Sequence, residues 1–275
     1  MKNSAPSLSF AGVSLGGGKT DKTAVAQIEY FPEQKRIFLR SLFTNVTSTD
    51  DKSSDLALHE ILTENKFKYV AFDVPLSFPL CIDCELKCPG YEKCKLPHIR
   101  WMWNLHEKRH KSKRPNKLFT PYTERCIEMY MSSELEENFF PSHALGANAA
   151  PLAARARFVT WRLRKLNLIE VYPKLSLWRI GLNLDIPKSY LRFHRHAMDG
   201  DEARYYILSR IVESNIAFIY QQDLRAMVEN MNAFDAFISA LTAYLKHKAQ
   251  TEGRPKDFPK LEAWIDFPKQ KISWF

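Results

Sequence analysis

The first 75 residues constrain the fold most, because they hold four strand-like segments whose connections leave little topological choice. Residues 8–15 (LSFAGVSL) form an apolar run closed by Gly16-Gly17-Gly18, the pattern of a buried strand followed by a turn. Residues 23–30 (TAVAQIEY) alternate, Pro32-Glu33 makes a turn, and residues 36–43 (RIFLRSLF) read as a third strand. Gaps this short join neighbouring strands into an antiparallel meander. Ser53 or Ser54 then caps a short helix through Leu56, Leu58, Ile61 and Leu62. Residues 69–74 (YVAFDV), stopped by Pro75, are a fourth strand. A helix between strands three and four is a crossover, which sets strand four parallel to strand one. The expected class is therefore α/β.

Residues 80 to about 150 break this rhythm with cysteines, a basic stretch and several prolines, and read as an insertion in a single domain spanning 1–275. Within it, Thr120-Pro121 has the form of a helix start. Residues 149–166 read as a helix in which Ala and Arg alternate, 168–172 (LIEVY) as a fifth strand, and 201–219 as an amphipathic helix. Residues 232–247 make a last long helix with Phe234, Phe237, Ile238, Leu241 and Leu245 at helical spacing, and 263–267 (AWIDF) a short closing strand.

Three acids stand in unusual company. Asp73 lies among Val70, Ala71, Phe72 and Val74, and Glu170 among Leu168, Ile169 and Val171, each shortly before a proline. A carboxylate inside an apolar run is costly unless a cation meets it, and one divalent ion can meet several. Asp235 shares a helix face with Ser239 and Thr242, while small Ala236, Ala240 and Ala243 permit close approach to a sheet. The plainer alternatives are strand-end acids held by backbone amides or an arginine, and a helix-start acid favoured by the dipole.

In this order the segments resemble a family of expected nucleases with an RNase H fold, domain of unknown function 429. The matching pieces are Gly12-Val13-Ser14-Leu15-Gly16-Gly17-Gly18, Phe72-Asp73-Val74-Pro75-Leu76, Leu145-Gly146-Ala147-Asn148 with Ala150-Pro151-Leu152, Ile169-Glu170-Val171-Tyr172-Pro173, Asp235-Ala236 with Ala240-Leu241-Thr242-Ala243, and Ala263-Trp264-Ile265 with Phe267-Pro268. The resemblance implies an RNase H-like five-stranded mixed sheet flanked by helices, here with a cysteine-rich insertion. It also implies acids on strand one, strand four and a late helix that hold two Mg²⁺ or Mn²⁺ ions roughly 3.5–4 Å apart for phosphodiester hydrolysis. Carried over, strand four supplies Asp73 and the late helix Asp235; Glu170 belongs to the Glu-Val-Tyr-Pro piece. The family's first-strand Asp is Ser14 here, and a neutral hydroxyl does not replace a bridging carboxylate. Asp21, beyond the glycine loop, is the nearest substitute. The departure leaves single-metal chemistry, or binding without cleavage, as alternatives. Backbone amides of Gly16–Gly18 with Lys19 would suit a phosphate, although a tight hairpin turn explains those glycines as well.

Cys81-x2-Cys84-x3-Cys88-x5-Cys94 places four of the five cysteines within 14 residues, which points to metal rather than disulfides and to a reducing compartment. Structural zinc is the first expectation, an iron–sulfur cluster the alternative, with His98 able to replace one ligand and Cys126 left as a free thiol. Immediately after, residues 100–117 hold seven Lys/Arg against the single acid Glu107. Arg100, Trp101, Trp103, Lys108, Arg109, Lys111, Lys113 and Arg114 form a basic, aromatic arm suited to phosphates and bases. The alternative is a solvated segment whose tryptophans pack on the insertion.

The net charge of +9 favours an anionic partner. No apolar run reaches the roughly 18 residues of a membrane span, and residues 1–18 carry one Lys without a long apolar core, so neither membrane nor secretion is expected and the cytoplasm is. Three readings compete: a metal-dependent nuclease acting on nucleic acid, a non-catalytic nucleic-acid-binding protein with a zinc knot, and an actin-like nucleotide-binding phosphotransferase. The third lacks a second phosphate loop, for which Asp199-Gly200-Asp201 is a poor candidate.

Overall fold

The meander expected at the start of the chain is present. In the computed structural model, which describes residues 6–17, 22–111, 118–146 and 149–275, strands β1 (Leu8–Ser14), β2 (Ala24–Phe31) and β3 (Arg36–Phe43) pair antiparallel in sequence order. Helix α1 (Ser54–Thr63) follows, capped by the Ser53 side chain accepting from the Leu56 N–H. It carries the chain over to β4 (Phe67–Phe72), which pairs parallel with β1. The fold is thus α/β with a mixed sheet flanked by helices.

The remaining elements are α2 (Pro97–Lys111), α3 (Cys126–Ser133), α4 (Ala150–Arg162), β5 (Leu168–Val171), α5 (Pro173–Asn183), α6 (Lys188–Phe193), α7 (Gly200–Glu213), β6 (Ala217–Phe218), α8 (Gln221–Glu229), α9 (Met231–His247) and β7 (Ile265–Asp266). The sheet order is β6-β3-β2-β1-β4-β5-β7. Seven strands stand where the resemblance implied five: β7 is the closing strand expected within 263–267, and the unforeseen two-residue β6 runs parallel to β3 at the other edge. The expected helix 201–219 ends early because Asn215 adopts φ 56°, a left-handed conformation that a right-handed helix cannot continue through. Thr120-Pro121 begins a turn rather than a helix; α3 starts at Cys126, where Glu128 accepts the Arg125 N–H and ion-pairs with the Arg125 guanidinium. The basic segment after the cysteines is helical through Lys111.

Contacts divide the chain into two compact units. One comprises Met1–Val74, Arg155–Glu252 and Asp266–Phe275; the other comprises Pro75–Ala154 and Gly253–Ile265. The core of the first unit is the sheet with α9 on one face. From Ala233 to Leu245 every residue of α9 is buried, so no polar face remains on it. Its seating depends on Gly12 in β1: a Cβ there would lie 2.0 Å from the Ala236 carbonyl oxygen and 2.3 Å from the Ala240 nitrogen. The small residues of β1 and α9 let two backbones meet, as the alanine spacing suggests.

Candidate active site

Close seating of α9 on β1 brings the N-terminal turns of the helix to the C-terminal ends of β1 and β4. Residues along a strand alternate faces, so Ser14 shares the α9-facing side with Gly12. Asp73 directly follows β4 and its N–H still donates to the Val13 carbonyl, 3.1 Å away. Its side chain lies beside Ser14: the Ser14 hydroxyl donates to Asp73 Oδ2 at 2.7 Å, and the Leu15 N–H donates to Oδ1 at 2.9 Å. Ser14 thus serves as a donor that orients Asp73.

Asp235 lies one residue before Ala236, so the Gly12 contact fixes its height above the sheet. Asn230 caps α9 through its Oδ1, which accepts the Asn232 and Ala233 N–H groups. The Asp235 carboxylate is 1% exposed; Oδ2 pairs with the Arg195 guanidinium, and Oδ1 is buried without a hydrogen-bond partner. Ser239 and Thr242 share a face with Asp235 as expected, but their hydroxyls donate to the Asp235 and Ile238 carbonyls of their own helix rather than to the carboxylate.

The electrostatics follow from this burial. Desolvation pushes the Asp235 carboxyl up to about 7; Arg195 opposes the rise, and the neighbouring charge of Asp73 adds to it. Asp73 keeps some solvent access, yet desolvation raises its carboxyl too, against the Ser14 and Leu15 hydrogen bonds and the Arg195 charge. Two carboxyls close enough to feel each other, one with an unsatisfied oxygen, form a site that favours a proton or a cation. Around them stand Arg195, one-third exposed, and Lys174, whose ammonium pKa is lowered by partial burial and then by Arg195. Tyr172 completes the rim, its phenol pushed up by burial. Sequence reasoning missed Arg195, Lys174 and Tyr172. Tyr172 and Lys174 carried a weak signal, adjoining the Glu170–Pro173 piece; Arg195, in a polar stretch, carried none.

Glu170 does not join this pair. It sits opposite Phe72 in the β4–β5 register, and Phe72 sits opposite Val13, so Glu170 lies on the sheet face away from Ser14 and Asp73. Asp21 and Lys19 lie outside the described residues, as do Lys113 and Arg114.

In the second unit the aromatic part of the basic arm is committed to packing. The Trp103 indole N–H donates to the Tyr91 carbonyl, and its ring stacks on Tyr91 and meets Phe119 edge-on; Trp101 packs edge-on against Phe258. Lys108 pairs with Glu134 at 2.6 Å, and Arg109 also has a partner, whereas Arg100 and Lys111 are exposed. Both tryptophans are therefore engaged in packing, Trp103 within the insertion as the alternative had it and Trp101 against Phe258 outside it, and neither is a free stacking platform. Arg100 and Trp101 instead line a cavity of about 580 Å³ with Lys95, Tyr130 and Asp257.

Cys81 and Cys94 are half-buried, Cys84 and Cys88 exposed, and none is in a disulfide. Cys81 Sγ lies 3.7 Å from His98 Nε2. Its thiol is pushed up to about 11 by burial and then by the charges of Cys94, Cys84 and Cys88. The donor chemistry suits zinc, but among the described residues no three His, Cys, Asp or Glu side chains gather into a group placed to hold a metal ion. Cys126 is a buried free thiol.

The same observations test the ions implied for the acidic pair. Among the described residues a two-ion cage does not fit, because the first-strand position is Ser14, Glu170 faces away and one Asp235 oxygen is taken by Arg195. A single magnesium-type ion fits the donor set, since such ions are held by one or two carboxylates plus water and substrate oxygens. No helix among the described residues is long and apolar enough to cross a membrane. Comparison with protein-family models, curated proteins and solved structures finds no match.

Proposed function

We propose that this chain is an RNase H-like protein that hydrolyses phosphodiester bonds in nucleic acid with one divalent cation held by Asp73 and Asp235. The observation that carries the reading is the buried, unpartnered Oδ1 of Asp235 beside a second desolvated carboxyl at the ends of β1 and β4. The RNase H-like assignment is supported by strands one and four lying side by side with a late helix that carries Asp235 against them, as the resemblance implies.

A bound Mg²⁺ or Mn²⁺ would supply Lewis-acid chemistry and offset charge on the phosphate. The chain's own groups divide the remaining work. Ser14 and the Leu15 N–H hold Asp73 in one orientation. Arg195 and Lys174 present positive charge at the rim, where a phosphodiester would be drawn and positioned.

The test is incubation of the purified chain with single- and double-stranded DNA and RNA in Mg²⁺ or Mn²⁺, beside Asp73→Asn and Asp235→Asn. Cleavage abolished by both substitutions is expected. The Arg195–Asp235 ion pair favours a second reading, nucleic-acid binding without cleavage. Binding by a wild-type chain that cleaves none of the four substrates would establish that reading and end the hydrolase proposal.

A further inference from the structure

Helix α4 and the turn after it expose a surface that the acidic pair does not use. Phe158 is 56% and Trp161 64% exposed, although both are large apolar side chains. They stand three residues apart and so share one helix face. The opposite side, with Ala156, Val159 and Leu163, is buried, so the two rings are surplus to the packing of α4. Around them lie Arg157, Arg162, Arg164 and Lys165, all exposed. The Arg164 guanidinium lies 3.4 Å from the centre of the Trp161 ring, and that of Arg162 lies 5.3 Å from the centre of the Phe158 ring. No acid occurs anywhere between Glu137 and Glu170.

Cations at a helix C-terminus complement its dipole, which accounts for Arg162, Arg164 and Lys165. The dipole does not account for two aromatic rings that stay more than half exposed beside them. Flat rings flanked by guanidinium groups are the equipment that binds single-stranded nucleic acid: bases stack on the rings, and the cations follow the phosphates. A membrane surface is the weaker fit, because insertion needs a continuous apolar face and α4 already buries its own.

We infer that the Phe158–Trp161 face of α4, with Arg162, Arg164 and Lys165, is a docking surface for single-stranded nucleic acid. The inference deepens the nucleic-acid reading above by assigning the strand form of the substrate and the residues that hold it. It does not depend on cleavage, because the acidic pair forms no part of the surface.

The experiment is fluorescence anisotropy of the full chain with fluorescein-labelled oligothymidylate and oligouridylate of about 20 nucleotides, in EDTA so that hydrolysis is not read. Trp161→Ala is expected to weaken binding roughly five- to hundredfold, the loss of one stacked base, and Phe158→Ala similarly. Lys165→Gln is expected to weaken binding and to reduce the salt dependence by about 0.7 of a counterion. Both aromatic side chains are exposed, so the variants should keep the wild-type circular dichroism and melting temperature. Trp161→Phe, which keeps a ring, should retain most of the affinity. Affinity unchanged in Trp161→Ala overturns the inference, as does binding of phosphatidylserine vesicles but not oligonucleotides. Oligonucleotide binding lost in Trp161→Ala but intact in Asp73→Asn and Asp235→Asn supports it, whatever becomes of the hydrolase.

Discussion

Replacing Asp235 by Asn tests the electrostatic core of the site without reference to any substrate. Asp235 is 1% exposed, and its carboxyl is raised from 3.8 to about 7, chiefly by burial. The folded state therefore holds this proton more tightly than the unfolded chain does. Its favourable contribution is complete below pH 4 and is lost as pH rises toward and through about 7. A shift of about three units corresponds to about 4 kcal/mol in all, of which about 2–3 kcal/mol is lost between pH 5 and pH 8. Asn keeps the shape and cannot ionise. Urea unfolding at a series of pH values should show Asp235→Asn gaining on the wild type by that amount from pH 5 to pH 8. Asp73→Asn, which removes the like charge, should flatten the wild-type slope. Parallel wild-type and Asp235→Asn stability curves would refute the argument, since the ion pair with Arg195 would then offset the whole cost of burial.

Two further perturbations address the frame and the cysteine segment. Gly12→Ala places a methyl group against the backbone of α9 and is expected to cost ~3 kcal/mol or more, whereas Gly253→Ala, with nothing within 4 Å of its Cβ, should be neutral; equal melting temperatures for the two would show that α9 is not seated by this contact. Zinc uptake by the Cys81–Cys94 segment would require its thiols to draw together, since among the described residues no three donors gather; about one zinc ion per chain is the outcome expected if they do, because a coordinated thiol gives up the proton that burial holds on Cys81. Elemental analysis after purification without chelator checks this, and a metal-free chain whose exposed Cys84 and Cys88 react freely with a thiol reagent would rule it out.

The strands were legible because run length and gap length carry the information. A meander and a crossover follow from where the apolar runs start and stop, and β1 to β5 lie where that spacing puts them. The Ser53 cap and α9 were legible for similar local reasons. Helix α5 was not, because buried residues surround it and leave no single apolar stripe to find. Asp73 and Asp235 could be paired from an ordered set of motifs, but Arg195 meets Asp235 only through the fold. Tryptophans at 101 and 103 beside lysines and arginines read the same whether the rings face water or Tyr91 and Phe258; tertiary packing alone decides that. The converse holds for α4, where alternation of Ala and Arg hid a face that becomes visible only when its other side is buried.

Charge count separates the one-ion site from the two-ion site that the resemblance implies. When ionised, Asp73 and Asp235 bring two negative charges, and Arg195 and Lys174 bring two positive ones within electrostatic reach. Two divalent ions would add four more, and with Glu170 turned to the other face and Ser14 neutral, no further acid at this site among the described residues offsets the excess. The proposed single ion would balance the two carboxylates and would leave Arg195 and Lys174 for a phosphodiester, provided Arg195 exchanged the Asp235 oxygen for a phosphate oxygen. Its side chain is one-third exposed while that of Asp235 is buried, so the guanidinium is the partner free to turn outward. In that arrangement Ser14 gains a positive reason to be there. A third carboxylate would hold a second ion that this charge distribution has no room for, whereas a hydroxyl donating to Asp73 keeps that carboxylate aligned at no cost in charge.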